Sequence, residues 1–326
     1  MRLSIFLCSL VAVLFLTSLV VGPADTALVP SLRALVFGGE GPLAMVMHEI
    51  RLPRALLALM IGGGLGMAGA AMQGYLRNPL AEPGLIGVSG TAALGAVLAI
   101  QTGVAGAFLF GLPLAALAGA LIGVFAVMLL AGPNGSSLTL ILAGIAISAL
   151  AAALTSLVLN LSPNPFAANE IVFWMMGSLA DRSMVHVWIA LPFIVMGIAL
   201  LATLARGLDA LTLGEDAAQA MGIGMRGLRL RLVFGTAAVI GASTAVAGAI
   251  GFVGLVVPHL LRPLVGAQPG RLLWASTLGG AAMVLTADIA VRLILPAGDL
   301  KLGVVTALVG APLFLHLIYR TRLNSL

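Results

Sequence analysis

Side chains able to do polar chemistry are scarce in this sequence, and their spacing limits what they can do. Asp288 and Arg292 stand four residues apart in a long apolar stretch. On a helix they share one face and can pair. A lone charge at the centre of a bilayer costs about 2.5–3.5 kcal/mol or more, and pairing explains Asp288 cheaply. Asp288 is the deep acidic candidate, and Arg292 lies close enough to the end of the stretch to reach a partner. Arg51 and Arg54, in Arg51-Leu52-Pro53-Arg54, open another apolar run. Pro53 suits a first helical turn. Cations there oppose the helix dipole, which favours anions at that end. Breaking a folding rule points to an external contact, and the natural partner is an acidic patch on another protein.

Other chemistries have weaker support. The single lysine is Lys301, so no Gly-rich loop ends in Lys-Ser/Thr and the chain carries no P-loop of its own. If ATP drives this protein, another subunit binds it. His48, His186, His259 and His316 fall in separate segments without metal-ligand spacing and read as structural. Gly87-Val88-Ser89-Gly90 matches a short nucleophile pattern of intramembrane serine proteases, with His316 as the candidate base. A helix that starts after Pro83-Gly84, with Ser89 in its first turn, explains the same residues.

The elements that must hold these residues are membrane helices. Of 326 residues, 61% are hydrophobic and 8% charged, and the mean hydropathy is +1.18. A soluble domain carries about a quarter charged residues. A soluble enzyme, a disordered chain and a disulfide scaffold are excluded, as is an outer-membrane barrel with its alternating strands. A span needs roughly 20 residues, which leaves room for about ten. We place them at 3–22, 54–75, 88–102, 111–131, 138–160, 188–205, 231–250, 254–266, 272–294 and 303–319. The first is too long for a signal-peptide core, which is about 7–15 residues. Cys8 within it reads as a buried structural thiol. With the N-terminus in the cytoplasm, ten basic residues fall inside and five outside, which predicts both termini cytoplasmic. The net charge of +5 suits anionic lipid headgroups or an acidic protein partner, not nucleic acid.

Two further patterns matter. Residues 206–231 predict a short helix, a break at Gly214, and a second short helix ended by Gly222. Its mixture of apolar teeth and charges suits a groove on a cytoplasmic partner. Ala68-Gly69-Ala70 with Pro79, and Ala247-Gly248-Ala249 with Pro258, form a faint repeat on spans of opposite direction. That is the arrangement of an inverted repeat, with spans two to five and seven to ten as its halves inside one domain, 1–326.

With these motifs assembled, the chain resembles the permease subunits of type II ABC importers, which take up iron-siderophores, haem and cobalamin. The resemblance rests on Arg51-Leu52-Pro53-Arg54, Arg77-Asn78-Pro79-Leu80-Ala81-Glu82-Pro83-Gly84 and Phe173-Trp174-Met175-Met176-Gly177-Ser178-Leu179. It continues through Leu211-Thr212-Leu213-Gly214-Glu215, the run from Gly248 to His259, Ala287-Asp288, Arg292 and the run from Gly303 to Pro312. Pro269-Gly270-Arg271 departs from the His-Arg pair of many relatives and puts a loop detail in doubt. The resemblance implies an all-α inner-membrane permease that is no enzyme and holds no cofactor. ATP and Mg would lie on two partner ATPase subunits, a second copy would complete a homodimer, and a periplasmic binding protein would dock outside. Carried over by position, Arg51, Arg54 and Arg292 look like docking cations, and Asn78, Leu80, Ser136 and Ser137 look like the cytoplasmic gate. Leu208, Leu211, Leu213, Gly214, Glu215, Met221 and Gly222 look like the ATPase-coupling segment. An ion-coupled secondary transporter and an intramembrane serine protease stay open as alternatives at this point.

Overall fold

The computed structural model describes residues 2–22, 27–38, 41–132, 135–295 and 300–323. Among the described residues the chain is helical, without strands. The first helices are α1 (Arg2–Val20), α2 (Leu28–Phe37) and α3 (Pro42–Met45), and α3 runs through a π-helical turn (Val46–Arg51) into α4 (Leu52–Tyr75). Then come α5 (Val88–Gln101), α6 (Val104–Ala107), α7 (Gly111–Ala131), α8 (Ser137–Asn160), α9 (Pro165–Met175) and α10 (Met184–Ala202). The rest are α11 (Ala205–Leu211), α12 (Glu215–Ala220), α13 (Met225–Ala247), α14 (Val253–Leu261), α15 (Pro269–Ile294) and α16 (Leu302–Leu323).

Seven of these helices are long and apolar enough to cross a membrane, and with α5, α14 and α16 they match the ten expected spans one to one. Four helices were not foreseen: α2, α3, α6 and α9. They fall between the expected spans, and α9 starts where Asn164 caps Phe166 through its side chain ahead of Pro165. Cys8 corrects the expectation of a buried thiol. α1 buries Leu7, Val11, Ser18 and Leu19, and the thiol lies off that stripe.

α4 is the axis of the molecule. Every residue from Ile61 to Gln73 is buried, and α10, α13, α14 and α15 all pack on it. A helix hidden on every side needs neighbours that come close. Lipid tails are as apolar as Leu, so close packing of small residues drives helix association in place of hydrophobicity. Gly62 and Gly66 meet Ser276 and Gly280 of α15, and a Cβ on either glycine would overlap a backbone carbonyl of the other helix. Thr91 and Gly95 of α5 meet Ala115, Gly119 and Gly123 of α7 in the same way. α13 packs on α5 and α7, much as α4 packs on α14 and α15.

Candidate functional site

Three groups of residues stand out along α4: a cation cluster at its N-terminal end, a break beside its middle, and a turn with two short helices at its C-terminal end.

At the N-terminal end Asp288 is fully buried and bridges two arginines. Arg54 Nε donates to Asp288 Oδ1 at 2.8 Å, and Arg292 Nη2 donates to Asp288 Oδ2 at 2.7 Å. The pairing of Asp288 with Arg292 is the one expected from their spacing, and Arg54 is an added partner 234 positions away. Arg292 also donates to the Ser18 and Val21 carbonyls at 2.8 and 2.7 Å and to Ser18 Oγ at 2.6 Å. Arg51 donates to the Leu19 and Val20 carbonyls at 3.0 and 2.6 Å. The last carbonyls of a helix lack internal partners and carry its negative pole. α3 and the π-helical turn continue into α4, so the helix begins at Pro42 and Arg51 lies well inside it, clear of the positive pole, while its guanidinium serves the C-terminal carbonyls of α1. Arg51 therefore has partners inside the fold, where the broken rule had pointed to an external contact. Arg51 and Arg292 are buried, and Arg54 is 16% exposed, the most open of the three. Outside the spans, burial pushes the Arg182 guanidinium below the usual arginine range, and adjacent Asp181 pulls it back.

Beside the middle of α4 the chain turns back on itself. After Tyr75 it returns so that Pro83 lies against Gly254, which also touches the carbonyl of Leu65. Leu65 is ten residues from the end of α4, about 15 Å along a helix. Glu82 is thereby carried to the start of α14, where its Oε1 accepts the Phe252 N–H at 3.2 Å. Glu82, Ser89, Ser243 and Thr244 line a cavity of about 100 Å³. Glu82 is thus a second carboxylate held within the fold, half-buried where Asp288 is fully buried. The clue lay in the length of α5, because 14 residues span about 21 Å, less than the ~30 Å hydrocarbon core. Such a helix cannot cross the core by itself, so one of its ends lies within it. No histidine lines the cavity that holds Ser89, so a Ser–His nucleophile pair is not formed there.

At the C-terminal end Ser136 caps α8, its Oγ accepting the Thr139 N–H at 3.2 Å. Asn78 forms a tight turn, its Oδ1 accepting the Leu80 N–H at 2.9 Å. Ser136 and Ser137 share a cavity of about 370 Å³ with Tyr75, Glu215, Gln219 and Arg229. Tyr75 stands three residues before Asn78, so both expected gate turns and the start of α12 meet at one pole. Arg229, buried on α13, donates to the Gly135 carbonyl and, at 3.0 Å, to the Gly132 carbonyl. It fastens the turn before α8 to the segment that follows α12. No local signal in the sequence marks this contact, because its partners lie 94 and 97 positions away.

The predicted helix, glycine break and second helix appear as α11, Gly214 and α12, with positive φ at Gly214 and Gly222. The structure divides the expected coupling residues. Leu208 and Leu211, three apart on one face, are buried against the body of the protein. Leu213 and Met221 are 70% and 63% exposed, and Glu215 is exposed between them. Asp209 holds α11 down: its carboxylate accepts the Gly270 N–H at 2.7 Å and Gln268 Nε2 at 3.0 Å, capping α15.

Comparison with known proteins places this arrangement. The model of the FecCD transport family matches residues 10–320. The chain is 39% identical over 298 residues to the cobalamin import system permease protein BtuC of Halobacterium salinarum, covering 90% of this chain and 78% of that one. It is 38% identical over 286 residues to the hemin transport system permease protein HmuU of Yersinia pestis, covering 84% and 83%. A solved inward-facing structure of a metal-chelate type ABC transporter matches with a TM-score of 0.87 at 33% identity, over 98% of this chain and 99% of that one.

Proposed function

This chain belongs to the FecCD transport family and is a multi-pass ABC importer permease, and from that premise we propose that it moves a metal chelate, a haem, iron-siderophore or cobalamin, into the cytoplasm. The observation that carries the substrate class is the likeness, over nearly the whole chain, to permeases described for cobalamin, hemin and metal chelates. The chain is a conduit, with ATP bound and hydrolysed on two partner subunits. The exposed Leu213, Glu215, Met221 and Gly222, with half-buried Gly214 among them, are the surface that meets them.

The mechanism follows from how the C-terminal pole is built. A push on α12 reaches α13 across the turn at Gly222, and Arg229 passes it to the turn before α8. In a two-fold dimer each Ser136–Ser137 turn and each Asn78–Leu80 turn faces its own copy. Small polar residues there separate at little cost, which suits a gate for a bulky chelate. A periplasmic binding protein would dock over the opposite pole, where Arg54, as the most open cation, is placed to meet an acidic residue. The swapped packing of α4 on α14–α15 and α13 on α5–α7 supports the inverted-repeat reading of the two halves.

The test is uptake into proteoliposomes that hold the permease with its ATPase and binding protein. Cyanocobalamin, hemin and a ferric siderophore are offered separately. ATP-dependent uptake of one of them is expected. Uptake that runs on an ion gradient without ATP would overturn the proposal, as would a failure to move any chelate.

A further inference from the structure

α7 and α10 both pack on α13, and between them lies an apolar groove of about 680 Å³. Its floor is formed by buried Leu117, Ala120, Val124 and Ala237. Its rim is exposed, with Leu121 on the α7 side and Met196 on the α10 side. Ala118, Ala120, Ala237 and Ala238 leave room between the larger side chains of the lining. From Leu114 to Val124 it runs ten residues of helix, about 15 Å. That is half of the ~30 Å hydrocarbon core, the depth of one leaflet. Water does not fill an apolar groove, and an empty one forfeits dispersion contacts along its whole lining.

One end of the groove is charged. Arg231 lies there, and no acidic residue lines the groove. Its Nε donates to the Gly227 carbonyl at 3.1 Å and its Nη1 to Thr203 Oγ1 at 3.2 Å. A guanidinium has five N–H donors, so these two bonds fix it in place and leave donors for an anion. Arginine suits phosphate because it can bond two oxygens at once. Thr203 stands two residues before the start of α11, so the charged end lies at the pole that carries α11 and α12.

We propose that this groove binds one anionic phospholipid of the cytoplasmic leaflet, its acyl chain against Leu117, Ala120 and Val124 and its phosphate on Arg231. The assignment to the cytoplasmic leaflet rests on the orientation in the proposed function. The lipid site itself does not, since lipid binding is read without ATPase, binding protein or chelate.

The experiment is native mass spectrometry of the full permease, delipidated and then exchanged into equal phosphatidylglycerol and phosphatidylcholine. Wild type is expected to retain one phosphatidylglycerol per chain, about tenfold over phosphatidylcholine. Arg231→Gln should bring that ratio close to one, and Arg231→Lys should keep most of it. Ala118→Trp, which fills the rim of the groove, should cut retention of both lipids several-fold. Arg226→Gln, on the neighbouring cavity, should leave the ratio unchanged. Circular dichroism and gel filtration establish that each variant is folded. Equal retention of the two lipids by wild type would overturn the proposal. So would an unchanged preference in Arg231→Gln, unchanged retention in Ala118→Trp, or a copurifying protein helix in the groove.

Discussion

Replacing Asp288 by Asn removes the negative charge that sits between Arg54 and Arg292. Two charge-assisted hydrogen bonds, at 2.8 and 2.7 Å, are lost or weakened. Breaking a buried ion pair by removing one partner costs about 3–5 kcal/mol, mostly because a charge is left without its counterpart. Here the lower end applies. Arg292 keeps its bonds to Ser18 and Val21, and Arg54 is 16% exposed and can reach water or headgroups. We therefore expect a loss of about 3 kcal/mol. At roughly 2–4 °C per kcal/mol for a large domain, the melting midpoint falls by roughly 6–12 °C. Tryptophan fluorescence of the purified permease during heating reads this directly. The double variant Asp288→Asn with Arg54→Gln removes one orphaned cation as well, so its loss should be smaller than the sum of the two single losses. A single variant that melts within about 2 °C of wild type, or losses that simply add, would refute the bridging role of Asp288.

Four further outcomes are expected. Gly66→Val drives a side chain into the Ser276 carbonyl and should cost at least about 1–3 kcal/mol, whereas Gly224→Ala, where a Cβ meets nothing within 4 Å, should leave the midpoint unchanged. Leu213→Asp and Met221→Asp should leave the permease folded but stop the ATPase from copurifying, while Leu208→Asp, in the core, should fail to yield folded protein; an ATPase that stays bound to both surface variants removes them from the interface. Arg229→Gln should keep assembly and ATPase activity yet reduce uptake at least about tenfold, with a changed cross-link yield at Ser137→Cys in a chain whose Cys8 is replaced, and wild-type uptake would mean that the turn before α8 is not held by this arginine. Arg54→Glu should weaken binding-protein docking, most clearly at low salt, because exposed charge pairs are screened, and docking unaffected at low ionic strength would take Arg54 out of that contact.

The helices themselves were legible because hydropathy is a local property. A run of some twenty apolar residues has few options in a bilayer, and seven such runs, with three further apolar segments, are plain along the chain. Gly214 and Gly222 likewise marked the ends of α11 and α12, since a left-handed turn favours glycine wherever it occurs. The pairing of Asp288 with Arg292 was readable because four residues of helix bring them to one face. What the sequence could not decide was direction in space. Leu213 and Leu211 are two residues apart, yet one faces outward and the other lies in the core, because Asp209 pins α11 onto α15. Arg51 reads as a cation at a helix start, and only the structure shows that the helix begins earlier, at Pro42, and that the arginine serves the carbonyls at the end of α1. Glu82 sits between two prolines in what reads as a surface turn, and it is held within the fold because the chain doubles back beside α4. In each case the deciding partner is distant in sequence, so hydropathy and spacing carry the spans, and packing of one span on another assigns each polar group its task.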